Sequence, residues 1–112
     1  MTVSTINREI PTMKHVNGTA HTEHASLYLK KLCRHFSHKV DTTFDDHQGV
    51  IHFSFGTCEL NADPEQLQLH CQAKGEDMAT LQDVIERHLV RFATRDTLTV
   101  NWQPTAQSSG TL

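Results

Sequence analysis

The sequence predicts an α+β fold: a two-layer sandwich of element order α-β-β-β-α-β, with two helices packed on one face of a mainly antiparallel four-strand sheet. Three observations lead there. Two segments repeat apolar residues at helical spacing and leave the opposite side polar. Between and after them, short segments alternate apolar and polar residues, as half-buried strands do. Each helix thus has one apolar stripe and each strand one apolar face, and a single layer of helices on a single sheet buries both economically. A chain of 112 residues makes one domain. At that size about two-thirds of the unfolded surface is buried, enough for folding without metals or disulfides.

The elements follow in order. Met1–His21 reads as a mobile arm, with Pro11 and an Asn17-Gly18 turn signal. Thr22 is a plausible N-cap for a first helix over Glu23–His38. Its stripe is Ala25, Leu29, Leu32 and Phe36, flanked by Tyr28 and Cys33. The first strand alternates Val40, Thr42 and Phe44 with Asp41, Thr43 and Asp45. A turn at Asp45–Gly49 leads into a second strand, where Ile51, Phe53 and Phe55 share a face. After Gly56 the apolar parity flips to Cys58, Leu60 and Ala62, which predicts a β-bulge at Gly56-Thr57. A turn at Asp63–Gln66 opens the third strand, with Leu67, Leu69, Cys71 and Ala73 inward; it sets Cys58 and Cys71 directly opposite. The second helix spans Glu76–Ala93. Met78, Leu81, Ile85, Leu89 and Phe92 make its apolar face, and Val84 and His88 border it. Glu76 and Asp77 suit its N-terminal dipole. Leu98, Val100 and Trp102 point inward from the last strand. The folded unit is therefore residues 22–102, and Gln103–Leu112 reads as a disordered tail.

Composition narrows the function. The net charge is −3, and the 10 Lys and Arg are balanced by 13 acids. Nucleic-acid binding wants a strongly basic face, so it is not expected. No apolar run approaches the roughly 20 residues of a membrane span. Met1–Thr22 is polar and lacks an apolar signal region, so a cytoplasmic location is expected. Three cysteines without a CxxC pair argue against a disulfide framework. Nine histidines are the unusual feature; protonating them all would carry the net charge from −3 to +6.

The stretches LYLKKLCRHFSHKV (Leu27–Val40), FGTCELNAD (Phe55–Asp63) and LQDVIERHLVRFATRDTLTVNW (Leu81–Trp102) resemble the bacterial domain of unknown function 2218 family. The resemblance covers about Thr22 to Trp102 and implies a small α+β domain. It also implies a link with iron handling, because some members are attached to, or encoded near, flavin-dependent siderophore-interacting reductases. An aldolase label carried by other members does not transfer, since an aldolase barrel needs about 250 residues. The positions matching the family pattern are Cys33, His35, His38, Cys58, His88, Arg91 and Phe92; the family supplies no established catalytic residues to place on them.

His35 and His38 stand about one helical turn apart, so both imidazoles can reach a common point. With a carboxylate or thiolate they would hold Zn(II), Cu(II) or Fe. The competing account is a helix C-terminus, where His meets the last carbonyls and the dipole. Cys33 lies roughly 160° around the helix from His35, which also rules out a Cys–His dyad. Cys33, Cys58 and Cys71 converge on the core, either as small hydrophobes or as soft-metal ligands. His88 reads as a core-edge residue with a hydrogen-bond partner, or as an acid/base or axial ligand near Arg91. His52 and His70 face outward, on neighbouring strands in this reading, and form the alternative metal or heme contact, or a pH-sensitive dimer contact. The plainer account is solvated side chains on a wet sheet face, shared with Asp41, Thr43, Ser54 and Gln68. His15, His21, His24 and His47 are assigned to the surface.

No nucleophile elbow or phosphate-cradling Gly-rich loop is present, and no residue set assembles an acid, a base and an electrophile. The expectation is a non-enzymatic accessory or binding domain for iron or another transition metal, with a siderophore-reductase-type partner. The alternative is a cofactor-free homodimeric interaction module whose histidines are structural or pH-tuning.

Overall fold

The computed structural model describes residues 13–104. Its elements are β1 (Met13–His21), α1 (Ala25–Phe36), β2 (Asp41–Phe44), β3 (Gln48–Phe53), β4 (Gly56–Ala62), β5 (Gln66–Lys74), α2 (Gly75–Phe92) and β6 (Asn101–Pro104). The strands form one sheet in the order β2-β3-β4-β5-β1-β6. Every neighbouring pair is antiparallel. The α+β class and the two helices agree with the sequence reading; the sheet has six strands where four were expected.

One extra strand comes from the segment expected to be a mobile arm. Met13–His21 is inserted between β5 and β6, pairing from Met13↔Lys74 to His21↔Gln66. Its inward residues are Val16, Gly18 and Ala20, too small to register as an apolar strand face. Gly18 is no turn residue. It faces Trp102 across the β1–β6 pair, and a Cβ there would stand 2.8 Å from two carbons of the indole. Residues 1–12 of the expected arm lie outside the described residues. So do residues 105–112 of the expected tail, whose first two members, Gln103 and Pro104, belong to β6.

The other extra strand replaces the expected bulge. β3 and β4 are a hairpin, with Phe53 paired to Gly56 across Ser54-Phe55. A reversal keeps one face inward on both arms, so Ile51 and Phe53 before it and Cys58 and Leu60 after it share the core side. The parity shift in the sequence records that reversal. Gly56 is needed here as well: its position lies so close to Ala73 and Leu81 that a Cβ would come within 2.9 and 3.0 Å of their side chains.

Both helices cover the same sheet face. Ala25, Leu29, Leu32 and Phe36 from α1 are buried, with Tyr28 and Cys33 beside them. Met78, Leu81, Ile85 and Leu89 from α2 meet Leu67, Leu69, Cys71 and Ala73 of β5 in the same cluster. Burying each large aliphatic side chain contributes roughly 1.5–3 kcal/mol, so this seam dominates stability. Two polar ties fix its ends. Trp102 Nε1 donates to Glu86 Oε1 at 2.8 Å, joining β6 to α2. Asp96 Oδ2 accepts from Thr22 Oγ1 at 2.5 Å and from the Tyr28 hydroxyl at 2.9 Å. Thr22 does not occupy the N-cap, which is His24, but its Oγ1 accepts from the His24 backbone N–H at 2.9 Å. Both turns start with an aspartate that accepts two backbone N–H groups, Asp45 from His47 and Gln48, Asp63 from Glu65 and Gln66. Among the described residues no helix is long and apolar enough to cross a membrane.

Candidate functional site

The C-terminal end of α1 lies beside the last turns of α2, and this junction holds most of the aromatic side chains. Phe55 stacks on Phe53 with centroids 5.2 Å apart, and Phe53 meets Phe36 edge-on at 5.1 Å. Phe36 meets His35 at 4.9 Å and His88 at 4.9 Å. His35 reaches His88 at 5.1 Å and Phe92 at 5.3 Å. The chain of rings thus runs from the β3–β4 hairpin to the end of α2. It follows from the apolar stripes: Phe36 closes one, Phe92 closes the other, and the two histidines border them.

The two imidazoles differ in their bonding. His88 Nδ1 lies 2.7 Å from the Val84 carbonyl. A carbonyl only accepts, so Nδ1 carries a proton and the neutral ring keeps its lone pair on Nε2. His35 Nε2 is buried and has no hydrogen-bond partner among the described residues. Buried polar atoms are normally paired, so an orphan of this kind asks for an explanation. Burial, first, holds the His35 imidazole below its usual range; repulsion from His88 and His38 when they are protonated, and from Lys39 and Arg91, adds to the effect. Among the described residues, every charge that contributes to this shift is cationic.

Outside the ring cluster lies a shallow depression of about 380 Å³, lined by Lys31, Arg34, His35, His38 and Phe92. The pair singled out in the sequence, His35 and His38, therefore does reach one space. His38 stands beyond the end of α1 and is exposed. Among the described residues the only ion pairs are Lys30–Asp46 at 3.2 Å and Arg87–Asp83 at 2.7 Å. Lys31, Arg34, Lys39 and Arg91 have no carboxylate partner there. Among the described residues no group of three or more His, Cys, Asp or Glu is placed to hold a metal ion.

The other proposed pair does not come together. His52 is on β3 and His70 on β5, with β4 between them; their cross-strand partners on β4 are Thr57 and Glu59. The expectation of neighbouring strands failed because the hairpin at Ser54-Phe55 inserts an extra strand. His70 instead meets His15 of β1, which was assigned to the arm. Their nitrogens are 3.2 Å apart, and the other His70 nitrogen lies 2.6 Å from Asn17 Oδ1. The missed signal was the alternation of His15, Asn17 and Thr19 with Val16, Gly18 and Ala20.

Cys58 and Cys71 are opposite one another, as expected, and both are buried with Cys33 as free thiols. Hydrogen bonding to Cys71 and burial push the Cys58 thiol well up, and burial pushes Cys33 up to about 12. Reactive cysteines show the reverse shift. All three lie within the buried hydrophobic cluster.

The model of a family described as an uncharacterized protein conserved in bacteria (DUF2218) matches residues 17–103. Among solved structures, the chain is similar to the NMR structure of PA4090 from Pseudomonas aeruginosa. The two are 33% identical, with a TM-score of 0.68, over 81% of this chain and 96% of that one. No curated protein matches. The chain belongs to this conserved bacterial family.

Proposed function

We propose that this family member is a non-enzymatic binding domain, and that the depression between the ends of α1 and α2 takes a small anionic ligand. One observation carries the reading: Lys31 and Arg34 line the depression, Lys39 and Arg91 add positive charge at His35, and none of the four has a carboxylate partner among the described residues, in a chain whose net charge is −3. Unpaired cations beside a shallow depression attract an anion, and guanidinium supplies bidentate donors for carboxylate or phosphate.

The same field opposes a bare metal cation. A second reading is nevertheless favoured by the orphaned His35 Nε2 and by His88, whose Nδ1–H donates to the Val84 carbonyl and so fixes the ring with its Nε2 lone pair free, as a metal-binding imidazole is held. In that reading His35, with His38 or His88, holds a transition metal, and the remaining ligands come from outside the chain. Iron handling with a siderophore-reductase-type partner, and a homodimer, are further proposals that rest on the family resemblance and carry no assigned residue.

The test is an amide NMR titration with inorganic phosphate and, separately, Zn(II). Saturable phosphate shifts centred on Lys31, Arg34, His35 and His38, reduced in Lys31→Gln/Arg34→Gln, are expected. Phosphate shifts that ignore those substitutions would overturn the anion site; stoichiometric Zn(II) lost in His35→Ala/His38→Ala would establish the second reading.

A further inference from the structure

We infer that the anion taken by this site carries a flat apolar body, so that the ligand class is an aromatic carboxylate or a comparable planar organic anion rather than a free inorganic ion. The inference rests on the anion reading above and adds a demand of its own. The wall between the cations is made of rings. Phe92 is half-buried and lines the depression, held between His35 at 5.3 Å and His88 at 6.3 Å, with interplanar angles of 60° and 52°. A side chain fixed on two sides offers a contact surface at little entropic cost. The His35 ring continues that surface and is kept neutral by burial and by its cationic neighbours. Its Nε2 is buried, so toward the depression it presents ring rather than that nitrogen.

An inorganic anion would use the charges and leave this aromatic wall wet. A planar acid uses both, its ring against Phe92 and His35 and its carboxylate toward the cations. Arg34 strengthens the match, because guanidinium stacks on aromatic faces as well as pairing with carboxylate. The depression is shallow, so a flat body can lie against its ring-lined floor with its outer face in water.

The probes are 2-naphthoate, acetate, inorganic phosphate and neutral 2-naphthamide, titrated by amide NMR at constant ionic strength. Naphthoate should bind at least about ten-fold tighter than acetate, the scale an aromatic contact with its buried area adds. Phe92→Leu keeps an apolar side chain in place and protects the fold. It should weaken naphthoate several-fold and leave phosphate unchanged, whereas Arg34→Gln should weaken both. Equal binding of naphthoate and acetate, or naphthoate affinity untouched by Phe92→Leu, would overturn this inference while leaving the anion reading intact. Naphthamide binding as tightly as naphthoate, or no anion binding at all, would remove the anion reading itself.

Discussion

The imidazoles of His35 and His88 lie 5.1 Å apart between centroids, on two helices, with the His35 Nε2 buried and unpaired. Lys31, Arg34 and His38 line the depression beside His35, and Lys39 and Arg91 add positive charge at its ring. The His35 ring is poorly placed to gain a proton, because burial and its cationic neighbours both oppose the new charge.

The first prediction follows from that field. The folded state holds His35 below its ordinary value of 6.5. Between its folded value and 6.5 the unfolded chain binds more protons than the native one, so stability falls as pH drops through that window. Asp96 acts in a separate range. Thr22 and Tyr28 hold it below its ordinary 3.8, so its contribution is lost only at lower pH. Urea midpoints at pH 7.5, 6.5 and 5.5 should decline, and His35→Gln should flatten the decline. An unchanged slope in the variant would show that His35 titrates normally.

A second prediction concerns the thiols. All three cysteines are buried and at least two have raised pKa values, so Ellman's reagent should find none in native protein and all three after denaturation. Rapid labelling of Cys58 or Cys71 would mean that the β4–β5 centre opens to solvent.

A third separates two residues of the α2 face. Ile85 is fully buried, whereas Phe92 is half-buried at the rim of the depression. Ile85→Ala should cost about 2–5 kcal/mol, the usual range for emptying a core site. Phe92→Ala should cost clearly less, because part of its ring already meets water. Equal losses by chemical denaturation would place Phe92 in the core.

The contrast shows what was legible in the chain. Ala25, Leu29, Leu32 and Phe36, like Met78, Leu81, Ile85 and Leu89, read as stripes because large apolar residues recur at helical spacing, and both helices stand where that spacing put them. The facing of Cys58 and Cys71 followed from the turn at Asp63. β1 was hidden because Gly18 and Ala20 carry almost no hydrophobic signal; their size answers to Trp102 and to the sheet, partners far away in the chain. The β3–β4 reversal hid for a related reason: Ser54-Phe55 has none of the Gly or Asn chemistry that marks tight hairpins. At the site, His35 and His38 stood out by spacing alone. His88 was legible as a residue at the edge of the second stripe, but its meeting with His35 and the unpaired cations were not, since both depend on how α1 and α2 lie together.

Gly18 supplies the last prediction. It sits at the middle of β1, opposite Trp102, and an added Cβ would stand 2.8 Å from the indole and 3.1 Å from Val100 Cγ1. The indole cannot simply retreat, because its Nε1 is bonded to Glu86 on α2. Gly18→Ala should therefore destabilise by about 1–3 kcal/mol, the range for overpacking a filled site, despite the better strand propensity of alanine. If the cause is this contact, the penalty should shrink in a Trp102→Ala background, where the ring is gone. A double-mutant cycle by urea denaturation measures the difference. An additive cycle would show that Gly18 is required for some reason other than the approach of Trp102.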